Sequence, residues 1–295
     1  MKDKRMAEHK IGFIGLGNMG APMARRLAQD GHALALLDAN TDICTTLCSE
    51  LGAQRLTADS AAELDVLITM LPDSDIVEAV LITDAWANRL PAGATIIDMS
   101  SCSPTRSRAL AETLAGLGLG YLDAPVSGGV KKAVAGTLAI LVGGEAALLE
   151  RWRPVLSSMG GSILHVGHAG AGHAAKALNN FVSAAGLMAT VEALHIAERF
   201  DISPEVMNSV LNASTGQTNT SMNKVDQFML SGTFGSGFSI GLMAKDLGIA
   251  KDLAQSLSYP MTFGHHSIDL WRSIASQAEP TTDHTAMYKL LNRGT

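Results

Sequence analysis

A lysine stands in an apolar, alanine-rich stretch in the second half of the chain. Lys176 precedes Asn180 by four residues within HAAKALNNFVSAAGLMATVEALHIAERF, which contains no proline. Residues i and i+4 project from one face of a helix, so the ammonium and the amide could grip one small molecule at two points. Burial disfavours the charged form of a lysine, which suits a group that takes up and releases a proton. The alternative is that its stem covers apolar surface while the ammonium reaches water.

Glycines near the N-terminus form a second candidate site. Gly15, Gly17 and Gly20 give G-x-G-x-x-G, which begins at the last residue of the apolar run KIGFIG. The first glycine permits a tight turn, the second lets the backbone approach a pyrophosphate, and the third allows close packing of helix on strand. The phosphates would then lie on N–H groups at the positive end of a helix. The residues expected to contact this dinucleotide are Gly15, Leu16, Gly17, Asn18, Met19 and Gly20.

An acidic residue decides which dinucleotide is expected. Asp38 ends the next apolar run, HALALLD, close to the separation of about 20 residues typical of a carboxylate that binds the adenosine ribose. The same carboxylate would repel a 2′-phosphate. The following residues, Ala39 and Asn40, cannot pair with a 2′-phosphate as an arginine would. We therefore expect NAD as the cofactor, with NADP used less well.

The elements that would carry these residues follow from hydrophobic patterning. Up to Val166, apolar runs alternate with amphipathic stretches, which predicts repeated βα units, a mostly parallel sheet and helices on both of its faces. The stretch that carries Lys176 predicts one long buried helix of roughly 40 Å, and no alternating strand runs follow it. The predicted strands are KIGFIG, HALALLD, DVLITML, ATIIDMS, LGYLDAP and LAILVGG.

The predicted fold class is therefore α/β, with a Rossmann-type doubly wound domain followed by an all-α domain. We assign residues 1–171 to an NAD-binding domain and 172–295 to a helical substrate and oligomerisation domain, with 172–199 as the long interdomain helix. The polar residues His173, Lys176, Asn179, Asn180 and Glu192 interrupt that helix, so we do not expect it to span a membrane. It leaves more apolar surface than a small domain can bury, which predicts a homodimer or homotetramer.

Composition limits the remaining partners and the compartment. The net charge of −6 and the pI near 5.8 offer no broad positive field for nucleic acid. Three cysteines argue against a disulfide framework and for a reducing compartment, which we take to be the cytoplasm. Cys44 and Cys48 could share a helical face, but buried thiols are expected there and no metal site. The N-terminal MKDKRMAEHK lacks an apolar core and does not resemble a signal peptide, so we expect a short flexible lead-in.

Motifs spread along the chain resemble one family. GFIGLGNMGAPMARRL, DMSSCSP, DAPVSGG, GHAGAGHAAKALNN and MAKDLGIA occur in this order. The sequence thereby resembles the β-hydroxyacid dehydrogenases, which include 3-hydroxyisobutyrate dehydrogenase and tartronate semialdehyde reductase. The resemblance implies hydride transfer between a nicotinamide dinucleotide and a small β-hydroxy acid or its semialdehyde. It also implies an active site in a cleft between a nucleotide-binding domain and a helical one.

The resemblance further implies roles for individual residues. Lys176 would be the catalytic lysine and Asn180 its substrate-orienting neighbour. Ser127, Gly128 and Gly129 would hold the substrate carboxylate and hydroxyl, through a turn whose N–H groups face an anion; the alternative is a plain loop leaving a strand. Lys245 would close the site near the nicotinamide, unless it and Asp246 form a solvated helix start. Leu71, Pro72 and Ser101 would line the cofactor groove.

Two departures bear on substrate and reaction. Where several relatives place an arginine facing the substrate, this loop reads NASTGQTNTS, with Gln217 and Asn219. Neutral amides suit hydroxyl groups, so a polyhydroxylated acid such as threonate is an alternative to 3-hydroxyisobutyrate and tartronate semialdehyde. Lys131 and Lys132 could add positive charge or simply be exposed. Lys176 argues against an imine reductase and against a non-catalytic dinucleotide-binding interaction module, because both are expected to lack that lysine.

Overall fold

The computed structural model describes residues 9–291 of the chain. The expected N-terminal lead-in falls mostly on residues 1–8, outside this range. The described residues form two compact units, one ending at Lys176 and the other beginning at Ala177. This division lies within the long helix, five residues beyond the boundary assigned from the sequence.

The first unit is built on one sheet of nine strands. Its order, β3-β2-β1-β4-β5-β6-β8-β7, with β9 beside β8, contains the 3-2-1-4-5-6 arrangement of dinucleotide-binding folds. All six strands predicted from apolar runs are present. The strands are β1 (Lys10–Ile14), β2 (Ala33–Leu37), β3 (Gln54–Arg55), β4 (Val66–Thr69), β5 (Thr95–Asp98), β6 (Gly120–Asp123), β7 (Val126–Ser127), β8 (Leu138–Gly143) and β9 (Gly160–Gly167).

The central strands are buried on both faces, which explains their continuous apolar sequences. Because successive side chains point to opposite faces, Phe13 and Ile97 join one core cluster while Ile14 and Ile96 join another. A Rossmann-type sheet with two covered faces therefore follows from the strand sequences.

The far end of the sheet differs from the prediction. β8 pairs antiparallel with β6 and β7, while β9 runs parallel to β8. The sequence pattern did not predict β3, β7 and β9. β3 and β7 have two residues each, and most residues of β9 are exposed, so they lack the buried apolar run on which strand prediction depends.

The helices complete the first unit and form the second. Residues 177–291 contain no strand, only a single bridge between Ser239 and Asp283, which confirms the predicted helical domain. Single π-helical turns occur at Ala79–Thr83 and Val225–Leu230 and short 3₁₀ turns at Ala87–Arg89 and His284–Ala286. The helices are α1 (Gly20–Gln29), α2 (Thr41–Leu51), α3 (Ala58–Ala61), α4 (Ser74–Glu78), α5 (Pro104–Gly116), α6 (Gly129–Ala135), α7 (Ala146–Ser157), α8 (Ala171–Arg199), α9 (Pro204–Ala213), α10 (Asn219–Asn223), α11 (Ile240–Ser256), α12 (Thr262–Ala275) and α13 (Met287–Leu290).

The long helix α8 has 29 residues. Its later part supplies Leu187, Val191 and Leu194 to the core of the second unit, beside Leu247 and Trp271. Among the described helices, α8 alone has the length and composition of a membrane span. The core helix of a soluble protein has the same properties, so this is weak support for a membrane role.

Candidate active site

In the glycine-rich turn between β1 and α1, one of the three motif glycines has free space around it. A Cβ on Gly15, where φ is +98°, would collide with the carbonyl oxygen of Met70, and a Cβ on Gly20 would collide with that of Gly15. At Gly17, by contrast, no atom lies within 4 Å of the added Cβ. Gly15 and Gly20 are thus required by the protein itself, while the space at Gly17 fits the close approach of a pyrophosphate.

Asp38 is held against this turn. Its carboxylate accepts hydrogen bonds from the backbone N–H of Leu16 at 2.6 Å and from that of Asn40 at 2.8 Å. The side chain of Asn40 is itself engaged, because its oxygen caps α2 by accepting from Asp42 and Ile43. The acidic residue that follows β2 is therefore fixed beside the glycine-rich turn.

The loops after β4 and β5 lie side by side. The N–H of Leu71 donates to the hydroxyl of Ser100 at 2.9 Å. Buried Asp98, the last residue of β5, accepts from the hydroxyl of Thr69 at 2.9 Å and from the N–H of Ser100 at 3.1 Å. The carboxyl edge of a parallel sheet is where α/β folds bind ligands, and the predicted residues Leu71, Pro72 and Ser101 follow these strands there.

The turn Ser127–Gly129 links β7 to α6. Gly128 and Gly129 have φ values of +130° and +67°, a region that residues other than glycine rarely adopt. Two such residues in succession can turn their N–H groups toward one anion. Lys131 and Lys132 are exposed, which agrees with the alternative that they are simply surface residues.

The first turn of α8 is tied to the sheet by a carboxylate. Asp123, fully buried at the end of β6, accepts from the N–H of Gly170 at 2.7 Å and from that of His173 at 2.9 Å. Burial raises the pKa of Asp123, while the His173 ring and these N–H groups oppose the rise. The N–H groups of a helix start, which would otherwise lack partners, are thereby satisfied internally.

Lys176 and Asn180 lie on the buried face of the same helix. Lys176 is 8% exposed and Asn180 is 6% exposed. His173, Lys176, Ala177 and Asn180 are all buried, at the 3- and 4-residue spacing of one helical face. The predicted i, i+4 pair is therefore in place, and the reading in which the lysine stem merely covers an exposed surface does not fit its burial.

Asn180 has an acidic partner in the second unit. Its Nδ2 donates to Oδ2 of Asp246 at 2.6 Å. Since a carboxylate only accepts, this bond fixes the orientation of the amide and turns its oxygen away from Asp246. Asp246 is 3% exposed within α11, and Lys245 Nζ lies 3.9 Å from its Oδ1. The alternative drawn from the sequence, in which Lys245 and Asp246 form a solvent-exposed helix start, is thus wrong for Asp246, because that side chain is buried.

The sequence did not single out several residues that support the site: Asp98, Ser100, Asp123, His173 and Asp246. The first unit holds the predicted residues from Gly15 to Lys176, and the second holds Asn180 and Lys245. Gln217 and Asn219 are exposed, and Gln217 donates to the carbonyl of Asn212. The sequence could have indicated Asp98 and Asp123, because each ends an apolar strand and an acidic residue is costly to bury without hydrogen-bond partners.

Cysteine and histidine positions bear on metal binding. Asp98, Cys102 and His173 place possible ligand atoms within 4.8 Å of one another. Both ring nitrogens of His173 are, however, hydrogen-bonded, to Ser107 and to the Ser100 carbonyl. Cys44 is buried and donates to the carbonyl of Leu36, and burial raises the pKa of Cys48 to about 11. A protonated thiol does not ligate zinc well, so the raised pKa of Cys48 disfavours zinc at that residue.

Family models cover nearly the whole chain. Residues 10–167 match the NAD binding domain of 6-phosphogluconate dehydrogenase. Residues 170–291 match the NAD-binding domain of NADP-dependent 3-hydroxyisobutyrate dehydrogenase. Both assignments agree with the two kinds of unit described above.

Individual relatives are similar over most of their length. The chain is 39% identical to 2-(hydroxymethyl)glutarate dehydrogenase of Eubacterium barkeri, over 85% of this chain and 84% of that protein. It is 34% identical to mitochondrial 3-hydroxyisobutyrate dehydrogenase of Rattus norvegicus, over 95% of this chain and 86% of that protein.

Solved structures agree with this relationship. The structure of Mycobacterium tuberculosis 3-hydroxyisobutyrate dehydrogenase with L-serine superposes with a TM-score of 0.90 at 35% identity, covering 96% of this chain and 99% of that one. An imine reductase from Myxococcus stipitatus shares the fold at a TM-score of 0.67 and 20% identity, over 96% of this chain and 99% of that one. Its lower similarity shows the fold alone. From sequence, fold and relatives together, the chain belongs to the β-hydroxyacid dehydrogenase family and is a nicotinamide dinucleotide-dependent hydroxyacid dehydrogenase.

Proposed function

We propose that Lys176 is the proton-transfer residue in the oxidation of a small β-hydroxy acid by NAD. The observation that carries this is the burial of Lys176 on the same helix face as Asn180. Burial favours the neutral amine of a lysine, which can take a proton from a hydroxyl.

The chain's own residues divide the work. When bound, the nicotinamide supplies the hydride acceptor or donor. In oxidation, Lys176 Nζ takes the proton of the substrate hydroxyl, directly or through a water, and in reduction it returns that proton. Asn180 presents its amide oxygen as an acceptor, since its nitrogen is bonded to Asp246. Ser127 and the N–H groups at Gly128 and Gly129 hold the substrate carboxylate.

Replacement of Lys176 by alanine tests this role. We expect kcat to fall by about 10² to 10⁴, the contribution of a positioned acid or base. NADH binding, followed by fluorescence, should change less than about threefold, because the dinucleotide contacts lie around Gly15, Gly17 and Asp38. Turnover close to that of the parent enzyme would refute the assignment, and so would loss of NADH binding together with unfolding.

The preference for NAD over NADP rests on Asp38. Its carboxylate is fixed by Leu16 and Asn40, so it cannot easily withdraw from a 2′-phosphate. We expect a higher kcat/KM with NAD than with NADP, and Asp38→Ala should narrow the difference by raising activity with NADP relative to NAD. A higher kcat/KM with NADP in the parent enzyme would contradict this role of Asp38.

The names of the relatives point to a substrate class. 3-Hydroxyisobutyrate, 2-(hydroxymethyl)glutarate and L-serine share one skeleton, a carboxylate whose α-carbon carries CH₂OH and a variable group. We propose that the substrate has this skeleton and that its primary alcohol is oxidised to the semialdehyde. A panel containing these three acids, glycerate and threonate, followed by nicotinamide absorbance, would test it. Threonate as the best substrate would instead favour the polyhydroxylated alternative.

We also propose that the protein forms a homodimer or homotetramer through its second unit. Exposed apolar side chains recur along α8, the turn after it and α9: Val182 is 66% exposed, Ile196 68%, Phe200 79% and Val206 55%. Faces of this kind commonly mark contact surfaces. Light scattering across the micromolar range would decide, and Val182→Glu with Ile196→Glu should shift the mass toward one chain. A monomer at every concentration would refute the proposal.

We propose the cytoplasm as the compartment and expect neither nucleic acid nor membrane as partner. None of the cysteines in the described part of the chain, Cys44, Cys48 and Cys102, forms a disulfide, as is typical of proteins in reducing compartments. Cell fractionation with antibody detection would test this, and recovery in a membrane pellet would contradict it.

A further inference from the structure

A histidine beside the proposed catalytic lysine lies in a closed polar network within the first unit. His173 is 1% exposed. Its Nδ1 lies 2.7 Å from the hydroxyl of Ser107, and its Nε2 lies 3.1 Å from the carbonyl oxygen of Ser100. A carboxylate oxygen of Asp98 and one of Asp123 each lie 3.9 Å from the ring. No step of the mechanism above uses this imidazole.

The partners determine where the proton lies. A carbonyl oxygen can only accept, so Nε2 carries the hydrogen and donates to Ser100. The hydroxyl of Ser107 can donate to Nδ1, or it can accept from Nδ1 while donating to the carbonyl of Ser103 at 3.0 Å. In either arrangement the bond from Nε2 to Ser100 is kept. It is the constant feature of the network.

That bond joins two pieces of the proposed site. Ser100 lies between β5 and the predicted cofactor residue Ser101, and its hydroxyl accepts from the N–H of Leu71. On the other side, the N–H of His173 donates to Asp123. Lys176 follows His173 by three residues, about one helical turn along α8. The imidazole thus connects the dinucleotide loops to the helix turn that carries the lysine.

We propose that His173 is a positioning residue for the reaction, holding Lys176 in register with the loops at Leu71 and Ser100. This rests on the proposed role of Lys176. A leucine would fill similar space without the cost of burying two ring nitrogens. The imidazole adds a directional hydrogen bond between α8 and the loop after β5. A displacement of about 1 Å at a catalytic group can cost about 10² in rate, so a directed bond matters here.

Three variants distinguish the effect of losing the bond from His173 to Ser100 from the effect of losing the bond to Ser107. His173→Leu removes it, whereas His173→Gln places an amide nitrogen near the position of Nε2 and can still donate to Ser100. Ser107→Ala removes only the partner of Nδ1. We expect kcat to fall about 10²-fold in the leucine variant and less than about fivefold in the other two. NADH binding should change less than about threefold in all three.

Two further measurements distinguish positioning from general damage. In amide hydrogen exchange, residues 170–176 should exchange faster in His173→Leu and return toward the parent rate in His173→Gln. In the Lys176→Ala background, His173→Leu should lower kcat by less than about threefold more, because a residue that acts through the lysine loses its effect once the lysine is gone.

The outcomes are separable. Full loss of activity in His173→Gln, or an undiminished 10²-fold effect of His173→Leu in the Lys176→Ala background, would overturn the positioning role. So would unchanged turnover in a folded His173→Leu protein. Near-normal turnover of Lys176→Ala alone would instead overturn the role of the lysine, whatever the histidine variants do.

Discussion

Carboxylates set the direction of the polar groups around them in both units. Asp246 accepts from the amide nitrogen of Asn180, and Asp38 accepts from the N–H of Leu16. Because a carboxylate can only accept, each fixes its partner as a donor toward it. The oxygen of Asn180 is thereby turned away from Asp246, and it accepts from Asn179 Nδ2 at 3.3 Å. In the proposed reaction, this oxygen would also accept from the substrate hydroxyl.

Asp246→Asn should therefore weaken catalysis without unfolding the chain. An asparagine can donate or accept, so Asn180 is no longer held in one orientation, and we expect kcat/KM to fall about tenfold, in line with the loss of a charge-assisted hydrogen bond. Steady-state kinetics measures this. Asp252→Asn is the control on the same helix, because Asp252 is exposed. Equal, small effects of both substitutions would show that Asp246 does not orient Asn180.

At the scale of elements, the residues predicted to line the cofactor groove follow the carboxyl ends of strands, while Lys176, Asn180 and Lys245 lie on helices. β1, β2, β4, β5 and β6 were predictable because their apolar runs are buried on both faces. The acidic residues at the ends of β2, β5 and β6, which are Asp38, Asp98 and Asp123, were visible in the sequence as well. Their partners were not, because the bonds from Asp98 to Thr69 and from Asp123 to Gly170 depend on which strands become neighbours.

The glycine-rich turn offers a test in which folding and binding separate. Gly17→Ala adds a methyl group where no protein atom lies within 4 Å, so the melting temperature should stay within a few degrees. If the pyrophosphate approaches the turn at Gly17 as predicted, the same methyl group lies in its way, so NADH affinity should fall by at least about tenfold. Gly20→Ala should instead lower the melting temperature, because its Cβ collides with the Gly15 carbonyl.

Thermal unfolding and NADH fluorescence of the two variants provide the comparison. Tight NADH binding by a folded Gly17→Ala protein would contradict the assignment of this turn to the dinucleotide.

At the scale of the whole molecule, stability should depend on a buried histidine in the second unit. Burial lowers the pKa of His284 to about 4, with nearby Lys224 adding to the effect. Nδ1 of His284 lies 2.9 Å from the Phe238 carbonyl and Nε2 lies 3.0 Å from Lys224 Nζ. Nδ1 must donate to the carbonyl, so Nε2 must accept from the ammonium, and only the neutral ring can do both.

The unfolded chain therefore binds a proton at this histidine more readily than the folded one. Stability contributed by the neutral ring is complete above about pH 6.5 and is lost as the pH falls toward 4. We expect the melting temperature to drop across this window, and His284→Gln to flatten the drop. Burial also lowers the pKa of His32 and His195, so part of the slope should remain.

Exposed His266→Gln is the matched control and should leave the slope unchanged. A melting temperature in the parent protein that is independent of pH between 6.5 and 4 would contradict the arrangement.

The domain plan was predictable at this scale, since helical spacing replaces strand alternation after residue 172. The surroundings of Lys224 and His284 were not, because 59 residues lie between these two side chains in the sequence. Their bond exists only once α10 and the turn before α13 pack together.

The glycine-rich segment before α8 resembles a second phosphate-binding loop. Its N–H groups, however, already bind an anion of the same chain, the carboxylate of Asp123. Asp123 sits in the cradle formed by the N–H groups of Gly170 and His173, and Cβ atoms on Gly143 or Gly172 would strike its carboxylate. The segment is thus a self-ligated anion site, closed to outside phosphates. Asp123→Gly removes this carboxylate and leaves a cavity that a formate ion could fill. We therefore expect the substitution to lower the melting temperature and added formate to raise it part of the way back.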